Sequence, residues 1–147
     1  MDGVGGSHYL RYWHPTSREE NGCEVCSVAD VAEKVRQAEE AYRQAWVDYL
    51  PGVSIWREAD VPEDSLSLGA APDGWAIVHT DSEFLQMATR SGSEPDGVLR
   101  RVQFDDFLEI PNVCFIDKNL AVEVIALWMT SGELMDEVGF SDDLFSY

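Results

Sequence analysis

Apolar residues recur along the chain with two periods, and the change of period marks out the elements. From Ser27 onward, Val28, Val31, Val35, Ala38, Tyr42, Ala45 and Tyr49 follow one another at steps of three and four, with Trp46 widening the stripe. That spacing gathers side chains on one side of a helix laid against a sheet. Ser27 with Asp30 three residues on forms a capping-box arrangement, and Pro51-Gly52 is the predicted stop. A second helix is predicted within Ile116–Phe140, where Ala121, Val124, Ile125 and Trp128 share a face. Asp117 and Asn119 offer oxygens to its first-turn N–H groups, and Gly132 can enter the left-handed region that ends it. The short apolar run from Leu134 to Phe140 then predicts a strand returning to a sheet.

Elsewhere the period shortens to two or gives way to polar clusters. Tyr9–Trp13 has strand composition and is closed by His14-Pro15, because proline restricts the residue before it and has no N–H to donate. Thr16 to Gly22 reads as a polar loop. Val53–Trp56 predicts a short strand, and Arg57–Ser65 an acidic loop. Ser65–Leu68 and Trp75–Thr80 flank Ala71-Pro72-Asp73-Gly74, a strong turn signal, so they predict a hairpin. Phe84–Thr89 fits a strand or a helical turn, Ser91–Gly97 a loop, and Val98–Phe104 a strand. Asp105 to Pro111 reads as a second acidic loop, and Val113–Ile116 leads into the second helix. Residues 1–8 are small and glycine-rich and are expected to fray. The whole, residues 1–147, is predicted to be one α+β domain. It has a mostly antiparallel β-sheet packed with an N-terminal and a C-terminal helix.

Composition sharpens this picture in one respect. Hydrophobic residues at 45%, with five Trp, suit a folded core, but 28 acidic against 10 basic residues give a formal net charge of −18. Such a surplus either maintains solubility or steers association with a basic partner. It speaks against direct nucleic-acid binding, since no Lys/Arg stripe is present to meet phosphates. No window approaches the roughly 20 apolar residues of a membrane span, and the first residues lack a basic and then apolar leader pattern. Three cysteines, an odd number, fit a reducing compartment, so a bacterial cytoplasm is the expected setting.

Catalytic patterns are weak. Cys23 and Cys26 form a C-x-x-C ahead of the first helix, which a zinc site or a redox thiol pair could use. Zinc needs two more ligands, and the spacings to His8 and His14 match no familiar finger. A thioredoxin-like role expects a surrounding βαβ unit, which the pattern does not offer. His79, on the side of Trp75 and Ile77, reads as a packed strand histidine. No catalytic residue, metal or cofactor is expected. The acidic clusters point instead to protein recognition. Glu58, Asp60, Glu63 and Asp64 share one predicted loop, Asp105, Asp106 and Glu109 another, with the aromatics Trp56, Trp75, Phe104 and Phe107 expected nearby. Aromatic anchors rimmed by charge are a common way to build tight interfaces. Trp56 and those seven carboxylates are therefore the predicted partner-binding residues.

The stretch from about Ser65 to Phe140 resembles a family of bacterial immunity proteins encoded beside polymorphic toxins, the family that includes inhibitors of deaminase toxins. The resemblance rests on the return strand Gly74-Trp75-Ala76-Ile77-Val78, the Ile110-Pro111 loop, Ala121 to Trp128, Thr130-Ser131-Gly132 and Val138-Gly139-Phe140. The family often closes with Trp where this chain has Phe140, and carries Pro shortly after the glycine where this chain has Glu133-Leu134-Met135. Residues 1–26 lie outside the likeness. It implies a protein that binds and occludes the active site of a cognate secreted toxin, a basic nucleic-acid-targeting domain, without catalysis or cofactor. The competing readings are a thiol- or zinc-dependent protein using Cys23 and Cys26, and an acidic regulatory adapter for a basic protein.

Overall fold

Both helices begin with the caps that their sequences predict. The computed structural model describes residues 8–15, 20–57, 65–81, 85–92, 94, 96–104, 107–136 and 139–140. Helix α1 spans Val28–Ala45; Ser27 Oγ accepts the Asp30 N–H at 3.2 Å, and the Asp30 carboxylate accepts the Cys26 N–H at 3.1 Å. Helix α2 spans Lys118–Ser131, with the Asp117 carboxylate accepting from Asn119 and Leu120 and Gly132 closing it at φ 75.

Nine strands are present among the described residues: β1 His8–Trp13, β2 Glu20–Val25, β3 Leu50–Arg57, β4 Ser65–Ala71, β5 Gly74–Thr80, β6 Gln86–Ala88, β7 Leu99–Gln103, β8 Phe107–Pro111 and β9 Phe115–Ile116. The main sheet runs β2-β1-β3-β4-β5, and the outer edge of β5 carries β6 at one end and β9 at the other. All of these pairs are antiparallel. β7 and β8 form an antiparallel hairpin joined to β3 by a two-residue parallel pairing, Leu50 with Val102 and Pro51 with Gln103. The protein is thus an α+β domain with a mostly antiparallel sheet and two helices.

Strand alternation divides the sheet into two faces. One face presents Leu10, Tyr12, Val53, Ile55, Leu66, Leu68, Trp75 and Ile77, and both helices lie on it to form the larger core. The other face reads in rows set by the register. The row Gly52–Gly69–Ala76 carries almost no side chain. The β7–β8 hairpin therefore lies directly on it, with Val102 and Ile110 in a second core beside Val78, Cys114 and Phe115. A Cβ on Gly52 would fall 2.6 Å from the Phe104 ring and against the Gln103 carbonyl, so glycine is what admits the hairpin there.

Several expectations are corrected. α1 ends at Ala45, one turn before Tyr49, and Trp46 leaves the apolar stripe to cap it in the left-handed region. Tyr49 is drawn off by tertiary contacts, edge-on to Tyr42 and Phe107, with its hydroxyl donating to the Pro15 carbonyl at 3.4 Å. Pro51-Gly52, read as the helix stop, lies inside β3, where the proline occupies the second position. Glu20–Val25 is an edge strand rather than the end of a loop. Phe107–Pro111, expected to belong to the acidic loop that begins at Asp105, likewise is a strand, paired along its length with β7. The predicted strand from Leu134 to Phe140 does not form among the described residues. Gly139 turns the chain at φ 57, and Leu134, Met135 and Phe140 pack on the larger core without joining the sheet.

Candidate protein-binding face

Two further rows of the second sheet face lie beyond the glycine row, and of their residues only Val78 and Ala88 enter the second core. One row reads Tyr9–Trp56–Ser65–Thr80–Gln86, the other Arg11–Ser54–Ser67–Val78–Ala88. Tyr9 stacks on Trp56 with ring centroids 6.0 Å apart. The Arg11 guanidinium lies 5.4 Å from the Trp56 ring and 5.6 Å from that of Trp13, so aromatic rings flank it. Small serines at Ser54, Ser65 and Ser67 keep the floor low beside these rings. Phe104, Phe107 and Leu108 of the hairpin form a wall, and with Arg11, Ser54, Ser67, Val78 and Gln86 they enclose an open groove of about 290 Å³. Phe107 is 46% exposed.

The local sequence explains the arrangement. Tyr9, Arg11 and Trp13 alternate with Leu10 and Tyr12, so the inward pair enters the larger core and the other three face outward. The far end of β1 is anchored by Tyr42, whose hydroxyl donates to the Trp13 carbonyl at 2.7 Å. Burial pushes that hydroxyl well above its ordinary pKa, so it stays a donor across the biological pH range. At the opposite end of the hairpin, Arg100 grips Asp73 in the β4–β5 turn with two hydrogen bonds and lies 4.7 Å from the Phe115 ring. The Arg100 guanidinium holds the Asp73 carboxyl below the usual range.

Of the eight residues predicted from sequence to meet a partner, Trp56 lies on this face, partly exposed. Glu109 is exposed on β8 opposite Arg101. It alternates with Leu108 and Ile110 and so points away from the sheet. These two therefore do not share a patch. Glu58, Asp60, Glu63, Asp64, Asp105 and Asp106 lie outside the described residues; in sequence they adjoin the face, following Trp56-Arg57 and standing between Phe104 and Phe107. Trp75, also expected as an anchor, is buried under the helices, and among the described residues its indole N–H has no hydrogen-bond partner. Tyr9, Arg11 and Trp13 were missed. Their alternation was visible, but only the register with β3 brings them to Trp56.

The remaining candidates sit elsewhere. Cys23 is half-buried toward the larger core and Cys26 is exposed just ahead of α1; both are free thiols. Among the described residues no three His, Cys, Asp or Glu side chains converge as a metal-ligand set. His79 is half-buried on β5 across from Leu66, as its alternation predicts. A larger groove, about 350 Å³, runs between α1, the start of β3 and Lys118. Its charges are taken up internally, Glu39 with Lys118 at 3.2 Å and Glu40 with Arg43. No helix among the described residues is long and apolar enough to cross a membrane.

Fold and site together define an acidic α+β domain with an aromatic, half-open sheet face. Compared with known proteins, the chain matches no family model and no curated sequence.

Proposed function

We propose that this chain is an immunity protein that binds a cognate secreted toxin domain and blocks its active site. The toxin is a basic enzyme that targets nucleic acid, a deaminase or another of that class, and the sheet face carrying Tyr9, Arg11, Trp13 and Trp56 meets it. The observation that carries the reading is that this face keeps rings and a guanidinium beside an open groove while helices seal the opposite face. Tyr, Trp and Arg are the residue types that dominate binding energy at protein interfaces. The surplus of acidic residues, 28 against 10 basic, supplies attraction toward a groove built to hold nucleic acid. The likeness of Ser65–Phe140 to immunity proteins supports the same reading. An interface of roughly 1,600 Å² would be the ordinary size for such a complex.

Co-expression with the product of the adjacent gene tests this. The expected result is a stable complex and rescue from that product's toxicity. With Trp56→Ala the complex should weaken at least about tenfold, in keeping with a central aromatic anchor. No complex and no rescue from the unaltered chain would remove the proposal.

A further inference from the structure

At the C-terminal end of α1 two unfavourable features coincide. Trp46 closes the helix at φ 58 and ψ 30, and among the described residues it alone is a non-glycine at positive φ. A side chain with a Cβ is strained there, whereas glycine is not. Capping does not require the indole, because the cap bond runs from the Trp46 backbone N–H to the Arg43 carbonyl. The Trp46 side chain is 92% exposed, so it gains little from the rest of the protein in return for the strain. Glycine would make a better cap and leave less apolar surface in water.

A second observation links this end of α1 to the binding face. Tyr49, three residues on, meets Phe107 edge-on at 5.0 Å, and Phe107 is itself exposed and walls the groove on the sheet. The Arg101 guanidinium lies 5.4 Å from the centre of the Phe107 ring. Tyr49, shortly after the helix end, and Phe107 at the hairpin tip thus carry aromatic surface from the groove toward the end of α1.

We infer that Trp46 is an anchor for the basic toxin domain, inserting into an apolar pocket of that partner while Phe107 joins the helix end to the sheet face. The inference rests on the reading of the chain as an immunity protein. A basic protein is the occupant, and not a second copy of this chain, because two molecules of charge −18 repel each other whereas a basic surface is drawn in. Desolvated tryptophans are prominent among the few residues that carry most of an interface's affinity.

The test uses the full chain and the adjacent gene's product with its catalytic site disabled. Trp46→Gly should weaken the complex about 30-fold or more, mainly through faster dissociation. The thermal midpoint of the free protein should stay the same or rise, since glycine suits φ 58. Trp46→Tyr should retain most of the affinity. A complex indifferent to Trp46→Gly overturns the anchor and leaves the immunity reading standing. Absence of any complex with the unaltered chain overturns both. A lower thermal midpoint for Trp46→Gly, or an unaltered chain that sediments as a dimer dissociated by Trp46→Gly, assigns the indole to the protein itself and overturns the inference.

Discussion

Asp73 sits in the turn between β4 and β5, and Arg100 of β7 reaches it with both guanidinium arms, at 2.8 and 2.9 Å. This contact pins the covering hairpin to the main sheet at one end. Because the hydrogen bonds favour the charged carboxylate, the folded-state pKa of Asp73 is depressed. The sign follows from linkage. The stabilisation is full above the unfolded value of about 3.9 and is lost as the pH falls through the lower folded value. Asp73→Asn should therefore lower stability at pH 7, and the difference from the unaltered chain should shrink steadily below about pH 4. The Asp73 side chain is 67% exposed, so solvent screening limits the effect to about 0.5 kcal/mol. Urea unfolding at a series of pH values checks this, and a difference that grows on acidification would contradict the assignment. Nothing in the sequence pairs Asp73 with Arg100, 27 residues apart. The turn was legible from Ala71-Pro72-Asp73-Gly74, while its partner depended on where the hairpin lands. Trp46 illustrates the reverse case: its spacing fits the helical stripe, and only the chain's departure toward β3 forces it into the cap.

Thr89, just beyond β6, ties together elements that the main ladder joins only briefly. Its buried hydroxyl accepts the Ile77 N–H of β5 at 3.1 Å and donates to the Cys114 carbonyl at 2.8 Å, next to β9. Thr89→Val keeps the shape but strands a buried N–H and a buried carbonyl. The expected loss is about 2 kcal/mol or more, while Thr89→Ser, which can keep both bonds, should lose less than half as much. Urea midpoints of the two variants decide it, and equal losses would mean that the methyl group and not the hydroxyl matters. The elements divide by the physics that makes them. Both helices and the β4–β5 hairpin were readable because caps, stripe and turn are local signals. The strands β2 and β8 were not. Glu20–Val25 and Phe107–Pro111 are short edge strands, and what holds them is a neighbour's backbone rather than a clear alternation of their own. The same limit applies to the binding face. Trp56 could be singled out from composition, whereas Tyr9, Arg11 and Trp13 became part of the site only through the pairing of β1 with β3.

At the scale of the whole molecule, the net charge of −18 must act on folding and on association with opposite signs. Within the compact free protein the acidic groups repel one another, and unfolding relieves that repulsion. Added salt screens charges more than a Debye length apart, a distance that shrinks from about 10 Å at 0.1 M to about 3 Å at 1 M. Raising NaCl across that range should therefore raise the thermal midpoint of the free chain. Encounter with a basic toxin domain depends on long-range attraction, so its association rate should fall over the same range, while dissociation changes much less. Asp105→Lys combined with Asp106→Lys should slow association further, most clearly at low salt, without an equal gain in dissociation. Stopped-flow association and calorimetric melting on the same samples provide both readings. A midpoint that falls with salt would show that the ion pairs, such as Asp73 with Arg100 and Glu39 with Lys118, outweigh the repulsion. An association rate indifferent to both salt and charge reversal would mean that the acidic surface serves solubility alone, and that the aromatic face works without electrostatic steering.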